Sequence, residues 1–148
     1  EHRPGGLEHI PLSPVLDALG SPSSPPRVAH EVHHDVLPKR QRARALLASE
    51  PFGLSVQVLQ ELFVNARKGG VDPDALDAVL AELRRVPVIE SSLSLFDAAV
   101  ALHRRYEISY WDAAIVAAAL ELGARTLYSE DLSHGQRYAA VQVVNPFR

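Results

Sequence analysis

The 148-residue chain has neither cysteine nor methionine. Without cysteine it can build no disulfide framework and no thiolate metal site, which fits a reducing cytoplasm. Its opening at Glu1 and its lack of methionine read as a fragment or processed product whose true start lies elsewhere. Positive charge is not in excess. Fifteen Lys and Arg against eighteen Asp and Glu leave a net charge of −3, which excludes a generally basic nucleic-acid coat and leaves room for a local basic groove. Long apolar runs are also missing. None approaches the ~18–20 residues of a membrane span, and no charged-then-apolar signal peptide opens the chain. The 47% of hydrophobic residues suffices for one domain with a sizeable core.

Composition divides the chain near residue 37. The first 38 residues hold seven of the eleven prolines and five of the seven histidines, and Gly20 to Arg27 reads GSPSSPPR, which is turn and linker chemistry. No internal repeat is present. Residues 1–37 therefore stand apart as an atypical segment, and residues 38–148 read as the regular domain. In that domain Lys39 to Ser49 fits a helix with a basic face, and Phe52 to Leu54 a buried strand. Val58, Leu59, Leu62 and Phe63 have helical spacing up to Gly69-Gly70. Asp72-Pro73 opens a second helix with proline at a favoured first position. Val86 to Ile89 reads as an edge strand, since it contains Pro87. Leu95 to Tyr106 and Tyr110 to Leu122 read as helices, the latter stopped by Gly123. Thr126 to Ser129 and Val141 to Val144 read as strands. Strands separated by helices predict an α/β fold, a mainly parallel sheet with helices on both faces.

The run SYWDAAIVAAAL (109–120) sets Asp112 against an apolar helix. Twelve or so helical residues at ~1.5 Å descend roughly 18 Å, and six or so strand residues at ~3.3 Å climb roughly 20 Å back. Asp112 and Asp131 thus return to one end, the carboxyl edge of the strands, where open α/β sheets keep their sites. Glu61 lies about 9 Å down the helix that starts after Ser55 and borders its buried face. Glu130 faces away from Asp131 by strand alternation. Gathered carboxylates repel one another, and a divalent cation removes that cost. All-oxygen ligands favour Mg²⁺ or Mn²⁺ over zinc, and such ions bind phosphates and activate water. Plainer roles compete. Ser109-x-x-Asp112 fits a capping box, Glu61 fits the boundary of an amphipathic helix, and Asp131 fits a turn.

Three stretches, QVLQELFVNARK (57–68), ISYWDAAIVAAALELGARTLYSEDLSHGQ (108–136) and VQVVNPF (141–147), together resemble the PIN-domain ribonucleases of the VapC toxin type. The resemblance spans roughly residues 38 to 148. It implies a three-layer α/β/α sandwich that cleaves RNA with Mg²⁺ or Mn²⁺, with Glu61, Asp112 and Asp131 as metal-site acids and Ser129 as a supporting hydroxyl. It also implies a cytoplasmic homodimer held inactive by a cognate antitoxin, which often inserts an arginine among the acids.

The family's first acid follows the first strand, in an apolar run that leads to Asp-Thr/Ser-Asn. The nearest match, PLSPVLDALG, offers Asp17. Pro11 and Pro14 stand where a central strand is expected, and each removes a ladder hydrogen bond. Ala18-Leu19 replaces the hydroxyl-Asn pair. The abrupt change of composition where the match begins reads as a shifted frame or a degenerate start, with catalysis impaired in consequence. An intact open frame at the locus would count against that. A rival signal is HEVHH (30–34), which fits H-E-x-x-H, a zinc motif with Glu31 as general base. Pro25-Pro26 and Pro38 leave it little room for a helix. The arginine-rich clusters (Arg40 to Arg44, Arg67-Lys68, Arg84-Arg85, Arg104-Arg105) read as solvated helix faces. Trp111, the sole tryptophan, reads as core packing, and His134 and Gln136 as loop residues near the site.

Overall fold

The computed structural model describes Glu8–His9, Ala45 and residues 51–148. Asp17, the HEVHH run and the basic stretch 39–49 lie outside the described residues, apart from Ala45 in the last of these.

Each described helix begins where a short polar side chain replaces a missing backbone partner. Ser55 opens α1 (Val56–Lys68), Asp72 opens α2 (Pro73–Leu83), Ser92 opens α3 (Leu93–Tyr106) and Ser109 opens α4 (Tyr110–Leu122). Their side-chain oxygens accept from the N–H three residues on, at 3.3, 3.1, 3.0 and 3.1 Å respectively. Such caps contribute about 1 kcal/mol each. Helix α4 stops at Gly123, whose φ of 77° is the left-handed conformation glycine adopts freely.

The strands are β1 (Glu8–His9), β2 (Phe52–Ser55), β3 (Val88–Ile89), β4 (Thr126–Tyr128), β5 (Arg137–Tyr138) and β6 (Val141–Val144). They form one sheet in the order β3-β2-β1-β4-β6-β5. All neighbours run parallel except β5, which pairs antiparallel with β6. The alternation of side chains sends each strand's residues to two helical layers. Leu54 and Tyr128 pack with Val58, Leu62 and Leu83 of α1 and α2. Leu127, Val141 and Val143 pack with α3 and α4 on the other face. This is the expected α/β/α sandwich.

The alanines of α4 explain its place. Ala113, Ala117, Ala118 and Ala119 are buried and small, so the helix lies close to both α3 and the sheet. Gly53 of β2 assists. A Cβ there would meet both methyl groups of Leu122, one of them at 2.8 Å.

Three details differ from expectation. The central strand is Glu8–His9, ahead of Pro11 and Pro14, so those prolines fall after the paired residues. Strand β3 begins at Val88, past Pro87, whose carbonyl instead accepts from Leu54 N–H at 2.9 Å. Strand β5 has only two residues and no sequence pattern that separates it from a turn.

Candidate functional site

Four successive sequence features converge at the carboxyl ends of β2 and β4. Ser55 closes β2 and starts α1, which carries Gln57 and Glu61 one turn apart. The Gln57 amide donates to Glu61 Oε1 at 3.3 Å and to the carbonyl of Trp111 at 3.4 Å. Gln57 thereby ties the first acid to the start of α4. Sequence reading passed over this residue, although its i, i+4 relation to Glu61 was visible. Asp112 occupies the first turn of α4, where the helix dipole favours negative charge. Its own N–H donates to Ser109, so the serine half of the capping box is made. Asp131 follows β4. Ser129 is buried, and its hydroxyl accepts from the N–H groups of Asp131 and Leu132 at 3.1 and 3.3 Å. Ser129 N–H in turn donates to Val144 of β6 at 3.1 Å.

Glu61, Asp112 and Asp131 all line one pocket, with Gln57, Trp111 and Ser129 between them. Glu130 is absent from this lining; it lies past the end of β4, in a bend, where strand alternation no longer sets direction. Among the described residues no Lys or Arg lines the pocket. Nor, among these residues, do three His, Asp or Glu side chains converge tightly enough to hold a metal ion. The three acids face a common space, and their mutual repulsion is the cost a bound cation would remove. The donor set is oxygen throughout, which suits a hard divalent cation.

Trp111 corrects the sequence reading. It is 66% exposed, not part of the core. In the first turn of α4 Tyr110 and Asp112 are half-buried and Ala113 is buried, so Trp111 lies on the helix face turned away from the core. It rests edge-on against Tyr110, ring centroids 5.1 Å apart. His134 and Gln136 stand outside the pocket lining. His134 Nδ1 accepts from Asn145 N–H at 3.0 Å, and the Gln136 amide donates to the Arg137 carbonyl at 3.2 Å.

Asp112 also acts at a distance. Burial pushes the Tyr138 phenol above its ordinary 10.0, and the Asp112 carboxylate adds to that rise. A phenol held neutral in the fold contributes stability that is complete below pH 10.0 and is lost as pH climbs through its raised native value. Alkaline unfolding above pH 10.0 should therefore be shallower in Tyr138→Phe than in the parent. Following circular dichroism against pH checks this, and identical curves would refute it.

Ser129 yields a second expectation. Ser129→Ala leaves two N–H groups without their acceptor, one of them on the buried Leu132. The loss should be about 1–3 kcal/mol, read as a lower urea midpoint at constant m-value. Asp131 loses its anchor in the same step.

A mainly parallel α/β/α sandwich with acids drawn to the carboxyl ends of two strands defines the class. The family model described as "PIN domain" matches residues 28–139, and the chain belongs to that family. Among solved structures, a toxin–antitoxin complex from Klebsiella pneumoniae aligns with a TM-score of 0.58 at 23% identity, over 76% of this chain and 90% of that one. The Mycobacterium tuberculosis toxin VapC20, described as cleaving the sarcin-ricin loop, aligns with a TM-score of 0.59 at 19% identity, over 82% and 88%. These likenesses carry the fold. No curated protein matches. Among the described residues no helix is long and apolar enough to cross a membrane.

Proposed function

We propose that this chain is a metal-dependent endoribonuclease, the toxin of a toxin–antitoxin pair, with residues 38–148 as its PIN-like domain and residues 1–37 as an atypical lead that supplies the central strand β1 of its sheet. The observation that carries this reading is the single pocket shared by Glu61, Asp112 and Asp131 at the sheet's carboxyl edge. Asp112, Asp131 and Glu61 would hold the ion, with Asp17 as the fourth acid. A bound Mg²⁺ or Mn²⁺ supplies an activated water and a Lewis acid for the phosphate oxygens. The chain's own part is placement. Ser109 fixes the helix start that presents Asp112, Ser129 fixes the loop that presents Asp131, and Gln57 orients Glu61. Rigid elements on three sides hold the acids in place before substrate arrives.

The partners are an RNA substrate, a second copy of the chain and a cognate antitoxin, all in the cytoplasm. A pocket walled by acids, with no Lys or Arg among the described residues, suits an arginine inserted by the antitoxin. Cleavage of structured RNA in Mg²⁺ or Mn²⁺ should fall to background on chelation and return when the ion is restored. Cleavage that persists at full rate in chelator would sink the reading.

A second reading is a catalytically impaired PIN domain that still binds RNA or an antitoxin. The observation favouring it is the sequence around Asp17, where Pro11 and Pro14 precede it and Ala18-Leu19 replaces the hydroxyl-Asn pair. No measurable cleavage in either ion, with RNA binding retained, would decide for it. The H-E-x-x-H zinc reading is separated by zinc analysis of chelator-washed protein.

A further inference from the structure

The pocket poses an energetic problem. Nucleic acid usually binds proteins through Lys and Arg at its phosphates. Here the walls hold three acids and, among the described residues, no such cation. Phosphate contacts among these residues gain nothing from charge, and a part of the RNA that carries no charge adds affinity with or without metal. The flat face of a nucleobase is such a part, and aromatic side chains bind it regardless of sequence.

Trp111 has the required position and exposure. It is the one largely exposed aromatic in the pocket lining, 66% open to solvent, next in sequence to Asp112. It is also braced. Tyr110 meets it edge-on, and Phe96, itself half exposed, lies 5.8 Å from Tyr110 between centroids, tilted by 51°. The Gln57 amide donates to the Trp111 carbonyl, tying the backbone below the ring to the acid-bearing helix α1. The result is a row of three rings that ends at the acids. We propose that Trp111 is a stacking platform for an unpaired nucleobase beside the phosphate to be cut, with Tyr110 and Phe96 as its support. The substrate class is thus RNA with a base unstacked at the cleavage site, a loop or single strand instead of a continuous duplex. This rests on the ribonuclease reading for its substrate but makes a separate claim about binding.

Because Trp111 is the only tryptophan, its fluorescence reports this contact without labels. The full chain in chelator, which prevents cleavage, is titrated with a single-stranded adenosine hexaribonucleotide and with an abasic strand of equal charge. The hexamer should quench emission saturably and the abasic strand should not. Anisotropy of a labelled hexamer should show about tenfold weaker binding for Trp111→Ala and near-parental binding for Trp111→Phe, the range expected for one stacked base. The side chain is exposed, so both variants should keep the parent's thermal midpoint.

Equal quenching by the two strands would overturn the platform, as would unchanged affinity in Trp111→Ala. So would emission that shifts with protein concentration in the absence of RNA, which would assign the ring to contact between copies. Cleavage in Mg²⁺ without any quenching would sink the platform alone. Quenching in chelator, with no cleavage of structured RNA once Mg²⁺ or Mn²⁺ is supplied, would sink the ribonuclease reading alone.

Discussion

Asp112→Asn is expected to lower Mg²⁺- or Mn²⁺-dependent cleavage of structured RNA by at least about a hundredfold, since an ion's stabilisation of transition-state charge contributes several kcal/mol. The fold should survive. The capping bond uses the Asp112 N–H, which asparagine keeps. The helix dipole loses a favourable carboxylate, at a cost of about 0.3–1 kcal/mol. Repulsion among the three acids falls, which offsets part of that cost. The net change should stay within about 1 kcal/mol. A second readout owes nothing to catalysis: with its charged neighbour gone, the Tyr138 phenol should titrate closer to its ordinary value, as absorbance against pH would show. Equal cleavage by parent and variant would remove Asp112 from the site. An unmoved Tyr138 titration would show that the carboxylate is not close to that ring.

The largest loss of stability should follow Leu127→Ala. Leu127 is fully buried in β4, beside β1 and β6, and packs with Val141 and Val143 against α4. Removing a buried leucine side chain takes away its transfer energy and leaves a cavity, at a cost of about 2–5 kcal/mol. Domains of this size have only about 5–15 kcal/mol in total. The melting temperature should fall by roughly 10 °C. Leu93→Ala is the control, because Leu93 is 76% exposed and its loss should fall within about 0.5 kcal/mol. Comparable shifts in the two variants would contradict the two-layer core.

Much of the helical framework could be read from residue order. Ser55, Asp72, Ser92 and Ser109 stand where caps must stand, and the apolar spacing of α1, α2 and α3 follows the helical period. The arrival of Glu61, Asp112 and Asp131 at one edge followed from element lengths, because a helix and a strand of known rise return the chain to its starting level. Other features depend on tertiary surroundings. Trp111 is apolar in sequence, yet it lies on the face of α4 turned away from the core, and an almost wholly apolar helix offers no stripe from which to read that. Strands β1 and β5 have two residues each, too few for period-two alternation to register. Ser129 was legible only as a supporting hydroxyl, and its acceptor role toward Asp131 and Leu132 depends on how the loop turns back after β4.

The position of β1 bears on when the fold can form. His9 pairs with Gly53 on one side and with Leu127 on the other, most of the chain later. The sheet therefore cannot close until β4 has been synthesised, because the middle strand has no second neighbour before then. Such pairing carries a high loop-closure entropy and slows folding. Glu61 lies on an early helix, whereas Asp112 and Asp131 are made late, on either side of β4. A ribosome-bound chain that stops short of β4 holds Glu61 and Asp112 but neither Asp131 nor a closed pocket, so assembly order itself delays the site until the nascent chain is nearly complete.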